Sequence, residues 1–299
     1  MIPSTFDYVA PVSLDEAVAL LRAHDGEAKV LSGGQSLIPM LKLRLAAPAV
    51  LVDINRIGGL DYVEERDGSL RIGALARESS LESSTVVRER YPILFDTARV
   101  IADPLVRNLA TICGNVAHGD PGNDHPATML ALDASFVIRG PQGTRTVAAR
   151  NFFIGLFATA LASDEIVTEI VIPPPPPRTS GAYLKLERKV GDFATAAVAA
   201  QVTVDEHGSC TSVGNGLTNV GPTPIQATHA AAFLRGKPLD EPTSAQASEL
   251  VAAAAEPVAD RRGSPDYKRD VVRVLARRAL RIASRRAAGL EQAASHGGN

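Results

Sequence analysis

With 299 residues, 45 % of them hydrophobic and 21 % charged, the chain has material for two domains that each bury a core. Its net charge of −2 gives no general attraction to nucleic acid or anionic lipid, and 4 % aromatic residues with no tryptophan are poor material for a base-stacking platform. Cys113 and Cys210 stand too far apart for a paired-cysteine metal or iron–sulfur motif and suit a reducing, cytoplasmic setting. The N-terminus lacks a basic stretch followed by an apolar core, and no run of ~18 apolar residues occurs, so neither usual export nor a membrane span is expected.

Ser13 with Glu16 makes a capping box, and Leu14, Ala17, Val18 and Leu21 recur at helical spacing up to Gly26, which predicts a helix over 14–24. Strands are expected at AKVL (28–31), AVLVDI (49–54) and SLRIGAL (69–75), with the glycine-rich SGGQS after the first. Residues 79–99 carry helical periodicity around Leu81, Val86, Val87, Leu94 and Phe95. The stretch 108–132 begins polar and small, as a loop, and ends as a helix through Ala127, Met129, Leu130 and Leu132. ASFVIRG and EIVTEIVIP add strands before Pro173 to Pro177, an unbroken run of five prolines. Such a run has no amide donors and prefers an extended form, so it suits a domain junction and not the inside of a sheet or helix. Beyond it, GAYLKLERK, ATAAVAAQVTV and CTSVGNGLTNV suggest sheet, and 245–255 and 266–288 suggest helices. The last helix holds eight Lys or Arg; Tyr267, Val271, Leu275, Ala279 and Ile282 form its inward stripe, leaving the arginines on an outer face that is solvated or docks a partner protein. These elements predict an α+β architecture.

The SGGQS stretch raises the question of a ligand. Gly33 and Gly34 let backbone N–H groups point together into a concavity that suits an anion, and Ser32, Gln35 and Ser36 add short donors, so a pyrophosphate can be held without lysine. The alternative is a plain strand-to-helix turn. TICGN offers the same chemistry, with Thr111 and Asn115 around Cys113 and Gly114 and a Gly-Asp-Pro-Gly turn at 119–122. Two such loops in one domain suit a dinucleotide. Asp124 is placed to accept a hydrogen bond from a ribose or flavin ring, or to cap the helix starting near Pro126, and one carboxylate can serve as both.

Other chemistries find less support. No G-x-x-x-x-G-K-[ST] occurs, and GNGLTN at 214–219 lacks the third glycine of a Rossmann fingerprint and opens no helix. His118, Asp120, Asp124 and His125 crowd together, but Pro121 and Pro126 break up any regular ligand face, so no metal site is expected. No serine or cysteine nucleophile has a base nearby in sequence, and no catalytic residue is assigned.

The segments SGGQSLIPMLKLRLAAPAVLVDINRI, IADPLVRNLATICGNVAHGDPGNDHPATMLALDA and GPTPIQA, in this order, resemble the flavin subunit of the molybdenum hydroxylases, the xanthine dehydrogenase family, and within it the carbon monoxide dehydrogenase branch. The resemblance implies an FAD-binding domain of the p-cresol methylhydroxylase and vanillyl alcohol oxidase type over 1–175, with two subdomains split near 55–60. It further implies a small C-terminal α+β domain with antiparallel sheet over 178–288; residues 289–299 are expected to be a disordered tail. The family's first motif is usually Ala-Gly-Gly-His-Ser and its second Thr-Ile-Gly-Gly-Asn. Here Gln35 replaces the histidine and still donates, while Cys113 replaces a glycine and requires dihedrals that a Cβ permits.

By the same likeness Ser32, Gly33, Gly34, Gln35, Ser36 and Leu37, with Thr111, Ile112, Cys113, Gly114 and Asn115, would hold the FAD pyrophosphate. Asp124 would approach the flavin or its ribityl chain, Lys185 and Asp192 would lie near the isoalloxazine, and Ile166 joins the cofactor set. The implied partners are a large subunit with the molybdenum cofactor and a small subunit with two [2Fe–2S] clusters, in a dimer of heterotrimers. The electron acceptor would be a quinone or NAD, and the complex cytoplasmic or peripheral at the inner face of the cell membrane. The same subunit in a xanthine, N-heteroaromatic or aldehyde dehydrogenase, or a flavin-free scaffold protein, are the alternatives.

Overall fold

A three-stranded parallel sheet opens the chain in the computed structural model, which describes residues 2–293. It comprises β1 (Asp7–Val9), β2 (Ala28–Leu31) and β3 (Val50–Asp53) in the order β1-β3-β2, with α1 (Leu14–Ala23) and α2 (Leu37–Lys42) in the connections. Ser13 caps α1 by accepting from the Glu16 amide at 3.2 Å, while Glu16 reaches back to the Val12 amide at 2.9 Å. Because the strands are parallel and Leu31 lies opposite Asp53, the loop after β2 and the turn after β3 emerge at the same carboxyl edge, the edge at which open sheets of this kind take ligands.

The second subdomain is built on a five-stranded antiparallel sheet ordered β4-β5-β10-β6-β7. β4 (Val63–Arg66) and β5 (Ser69–Gly73) form a hairpin, and six helices intervene before β6: α3 (Glu78–Ser83), α4 (Thr85–Arg90), α5 (Pro92–Arg99), α6 (Pro104–Arg107), α7 (Ile112–His118) and α8 (Asp124–Ala131). The single periodic stretch expected over 79–99 is thus three helices. Ser84 is extended and caps α4 through the Val87 amide, and Pro92, lacking an amide to continue α4, starts α5. β6 (Ser135–Gly140), β7 (Gly143–Ala148), the β8 (Phe153–Gly155) and β9 (Ala158–Thr159) hairpin and β10 (Ile166–Ile172) complete this half. β4 and β7 escape the sequence pattern because they are polar sheet edges.

After the prolines, β11 (Thr179–Leu186), β12 (Ala196–Val204) and β13 (Cys210–Thr218) form an antiparallel sheet. The helices α9 (Thr228–Leu234), α10 (Glu241–Ala254) and α11 (Pro265–Ala287) follow. β12 is buried on both faces: Ala197 and Ala199 join the core around α5 and α8, whereas Ala196, Val198, Ala200 and Val202 join the core under α10 and α11. That alternation is the two-residue period of a strand. Gly214 and Gly216 let β13 approach α8 closely, since a Cβ at either would overlap the Ala131 or Ala127 carbonyl. The GNGLTN glycines therefore serve sheet–helix packing.

The stripe assigned to α11 is rotated by about one residue: Val272, Leu275, Ala276, Ala279, Leu280 and Ala283 are buried, while Tyr267 is exposed. Not every basic side chain faces out, which corrects the reading of an all-arginine outer face. Lys268 is buried against Asp260 at 2.8 Å, and Arg286 donates to Asp96 of α5 at 2.6 Å and to the Gly181 carbonyl at 2.8 Å. Arg286 thereby pins the last helix, the C-terminal sheet and α5 together. Asp96→Ala strands that guanidinium and is expected to lower stability by about 2 kcal/mol in urea unfolding, with no loss of secondary structure by circular dichroism. Of the tail expected from 289, residues 294–299 lie outside the described residues; Leu290 donates back to Arg285 and Glu291 pairs with Arg285. Among the described residues no helix is long and apolar enough to cross a membrane.

Candidate functional site

The fold brings the two glycine-containing motifs, 79 positions apart from Ser32 to Thr111, into direct contact. The Ser32 and Thr111 hydroxyls lie 3.0 Å apart, and Ser32 also reaches the Ala74 carbonyl at 3.4 Å. Gly33 packs so closely on 109–111 that a Cβ there would overlap the Leu109 carbonyl and come within 2.8 Å of both Ala110 Cα and the Thr111 nitrogen. Gly34 follows with φ +72°, a conformation that favours glycine. Gln35 donates to the Gly33 carbonyl at 3.2 Å, and Ser36 precedes α2 without a side-chain cap bond. Among the described residues the amides of Gly33, Gly34, Gln35 and Ser36 donate to no protein acceptor. Backbone amides left without a protein acceptor are free to meet an acceptor that a ligand supplies.

The second motif is not a loop, as its small residues suggested, but the first turn of α7. Thr111 is the N-cap and accepts from the Gly114 amide at 3.2 Å; a Cβ on Gly114 would crowd that same hydroxyl at 2.6 Å. Ile112 and Cys113 are buried beneath this turn. The Cys113 thiol points into the sheet, 3.7 Å from the Ile72 carbonyl and 3.6 Å from that of Gly73, and burial pushes it far above its ordinary pKa. A helical residue tolerates a Cβ, so the change from glycine leaves the cradle-facing surface unaltered. The Asn115 side-chain oxygen is buried without a partner.

Asp124 is the first residue of α8, after Asn123 at the cap position, and so is not the N-cap. Its carboxylate crosses to the C-terminal sheet, accepting from Tyr183 Oη at 2.5 Å and Lys185 Nζ at 2.9 Å, and Lys185 also donates to the Val100 carbonyl at 2.9 Å. Burial pushes the Asp124 carboxyl above its ordinary range, against the opposing pull of Lys185 and Tyr183. Asp192 lies in the loop after β11, where Arg188 at 3.1 Å and Arg262 at 3.0 Å take its oxygens. Leu37 begins α2, and Ile166 is buried in the apolar cluster that includes Val52, Ile54 and Ala74.

The four crowded polar residues diverge. His125 pairs with Glu78 at 2.7 Å, both wholly buried, His118 packs on Phe157, Asp120 accepts from the Gly122 amide, and Asp124 goes to Lys185. Tyr183, Glu78, Asn55 and Arg77 are parts of this region that the sequence did not single out; Arg77 and Glu78 fall between the strand expected over 69–75 and the helical stretch from 79, and no local motif marks any of the four. The unpartnered donor amides of 33–36 fit the diphosphate-bearing half of FAD, and the close approach of Gly33 to 109–111 sets them beside the start of α7.

Fold and site together define a flavin-binding α+β subunit. Residues 4–175 match the model of the FAD binding domain in molybdopterin dehydrogenase, and residues 181–283 that of the CO dehydrogenase flavoprotein C-terminal domain. The chain therefore belongs to the FAD subunits of the molybdopterin dehydrogenases, as an oxidoreductase subunit with FAD as its cofactor. It is 45 % identical to the carbon monoxide dehydrogenase medium chain of Hydrogenophaga pseudoflava, over 96 % of this chain and 100 % of the relative. It superposes on a chain of reconstituted CO dehydrogenase from Oligotropha carboxidovorans with a TM-score of 0.93 at 44 % identity, covering 96 % of this chain and 100 % of the other. The match to quinoline 2-oxidoreductase from Pseudomonas putida 86 has a TM-score of 0.90 at 33 % identity, covering 96 % and 99 %.

Proposed function

We propose that this chain is the electron-transfer subunit of a carbon monoxide dehydrogenase. In this reading a large partner subunit carrying the molybdenum cofactor oxidises the substrate, a small partner with two [2Fe–2S] clusters relays electrons, and the FAD of this chain delivers them to a quinone. The meeting of Ser32–Ser36 with the start of α7 around a set of unpartnered amides carries the proposal. The loop amides, with Thr111 and Asn115, hold the diphosphate; Leu37, Ile112, Cys113, Gly114 and Ile166 shape and back the cradle. Asp124, Lys185 and Asp192 stand toward the flavin ring and ribityl chain, between the domain ending near residue 175 and the one beginning near 178. When bound, the flavin supplies the redox chemistry by collecting single electrons and giving them up in pairs. The chain's own task is to hold it and fix its surroundings.

The relatives support the division of labour: one solved enzyme is a Cu,Mo-CO dehydrogenase, and the Hydrogenophaga pseudoflava enzyme has been solved lacking the Mo-pyranopterin moiety of its cofactor. The likeness to quinoline 2-oxidoreductase favours a second reading, the same subunit serving an N-heteroaromatic substrate, because a similar fold serves both. Isolating the chain with its companions from the native host decides between them. The proposal expects two further chains of unequal mass, iron and molybdenum, and bleaching of the flavin absorbance by carbon monoxide without added cofactor. Bleaching by quinoline and not by carbon monoxide transfers the assignment to the second reading. Reoxidation by a quinone analogue but not by NAD supports the acceptor, and the reverse overturns it.

A further inference from the structure

We infer that Arg77 and Asn55 form a strap that fixes the width of the diphosphate cradle; this rests on the FAD reading above. The cradle's two sides come from different subdomains, one after β2 of the parallel sheet and the other before α7 in the helical layer. Arg77, half-buried just before α3, spans them. One arm of its guanidinium donates to the Leu109 carbonyl at 2.5 Å and the other to Asn55 Oδ1 at 2.7 Å. Asn55 in turn donates to the Ser32 carbonyl at 2.9 Å and to Asp53 at 2.6 Å, and Asp53 accepts from Tyr8 Oη at 2.5 Å.

The two ends of this chain of bonds are the backbone carbonyls flanking the two motifs. The Leu109 carbonyl is also the atom against which Gly33 packs without room for a Cβ. Among the described residues the only other polar tie between the motifs themselves is the pair of Ser32 and Thr111 hydroxyls. A guanidinium is planar and presents its donors in a fixed fork, so it sets the separation of two acceptors; a lysine ammonium carries the same charge but no fork. Arg77 is therefore a positioning residue, acting on the diphosphate through the loops it holds, and its charge alone does not reproduce that.

The test compares the full chain with Arg77→Lys and Asn55→Ala, each stripped of flavin, by calorimetric titration with FAD and by 31P NMR of the bound FAD. Each variant is expected to bind FAD about tenfold more weakly. The double variant should be no weaker than the worse single one, because both cut one strap. Both diphosphate resonances should move in the variants, a change that general loosening of a remote part would not produce, while the unfolding midpoint of the flavin-free chain holds. Should Arg77→Lys fail to fold, Asn55→Ala, which removes only an exposed side chain, reads the same prediction. Wild-type affinity in both single variants, or unmoved 31P resonances, overturns the strap and leaves the FAD reading standing. A wild-type chain that takes up no FAD overturns both.

Discussion

Gly33→Val yields a chain that folds and does not retain FAD. The side chain has nowhere to go: a Cβ already stands 2.8 Å from Ala110 Cα and from the Thr111 nitrogen, and these are backbone atoms of the opposite cradle wall, unable to swing aside as a side chain would. Two further methyl groups force the walls apart. Overpacking of this kind costs ~1–3 kcal/mol of stability, borne at the contact between two subdomains that keep separate cores. At the proposed site the cofactor suffers more, because the amides proposed to hold the diphosphate lose their common focus; FAD affinity is expected to fall more than about a hundredfold, or ~3 kcal/mol. Gly34→Ala is the milder comparison, since its Cβ meets side-chain atoms of Ile38 and Leu31 and no backbone, and the main cost is a positive φ of +72°, worth ~1 kcal/mol. Flavin released per chain on denaturation, with far-ultraviolet circular dichroism as the check on folding, reads both variants. A Gly33→Val chain holding a full complement of FAD contradicts the packing argument.

Lys185→Met destabilises the chain by about 4 kcal/mol, because removing one member of a buried ion pair leaves the other charged and unpaired. The Lys185 side chain is 2 % exposed and that of Asp124 7 %. Its ammonium donates to Asp124 and the Val100 carbonyl and pairs with Glu187 at 3.4 Å, and methionine fills the volume without replacing any of these contacts. The pH dependence follows from the carboxyl. Burial already raises the Asp124 pKa, and losing the lysine that opposes this raises it further. A carboxyl whose folded pKa exceeds its unfolded value favours the folded state at low pH and costs stability as pH rises through the folded pKa. The deficit of the variant relative to the parent is therefore largest at neutral and alkaline pH and shrinks on acidification. Urea unfolding of both proteins across pH 5 to 8, roughly the window of maximal stability for most proteins, measures it; a deficit that grows as pH falls contradicts the assignment.

The parts of this region that the sequence made legible are those whose chemistry is local. Two glycines with short polar neighbours after an apolar strand read as a candidate anion cradle because the backbone freedom and the donors occupy adjacent positions, and the fold sets that loop against Thr111. What remained hidden depends on partners far along the chain. Asp124 looks like a cap or a ligand until β11 places Lys185 and Tyr183 on its two oxygens. Arg77 carries no local signal, and its use appears only when the fold sets Leu109 on one side of it and Asn55 on the other. TICGN looks like a loop because a helix that begins with a glycine and an asparagine in its first turn has weak propensity; the Thr111 cap and burial of Ile112 and Cys113 override it. The glycines of β13 advertise flexibility, yet their use is to let a helix backbone lie against the strand, which no pattern within the strand reveals. In α11 Arg286 stands four residues after Ile282, on the face expected to point inward, and its charge hid its use until the fold set Asp96 against it; the alanine-rich face itself is specified poorly because small side chains mark it weakly.

The most direct test is to isolate the full chain, denature it, and identify and quantify what it releases. The structure predicts one equivalent of FAD per chain, recovered again when the stripped protein is incubated with FAD and lost in Gly33→Val. A parent chain that releases no flavin and takes none up on incubation contradicts the account.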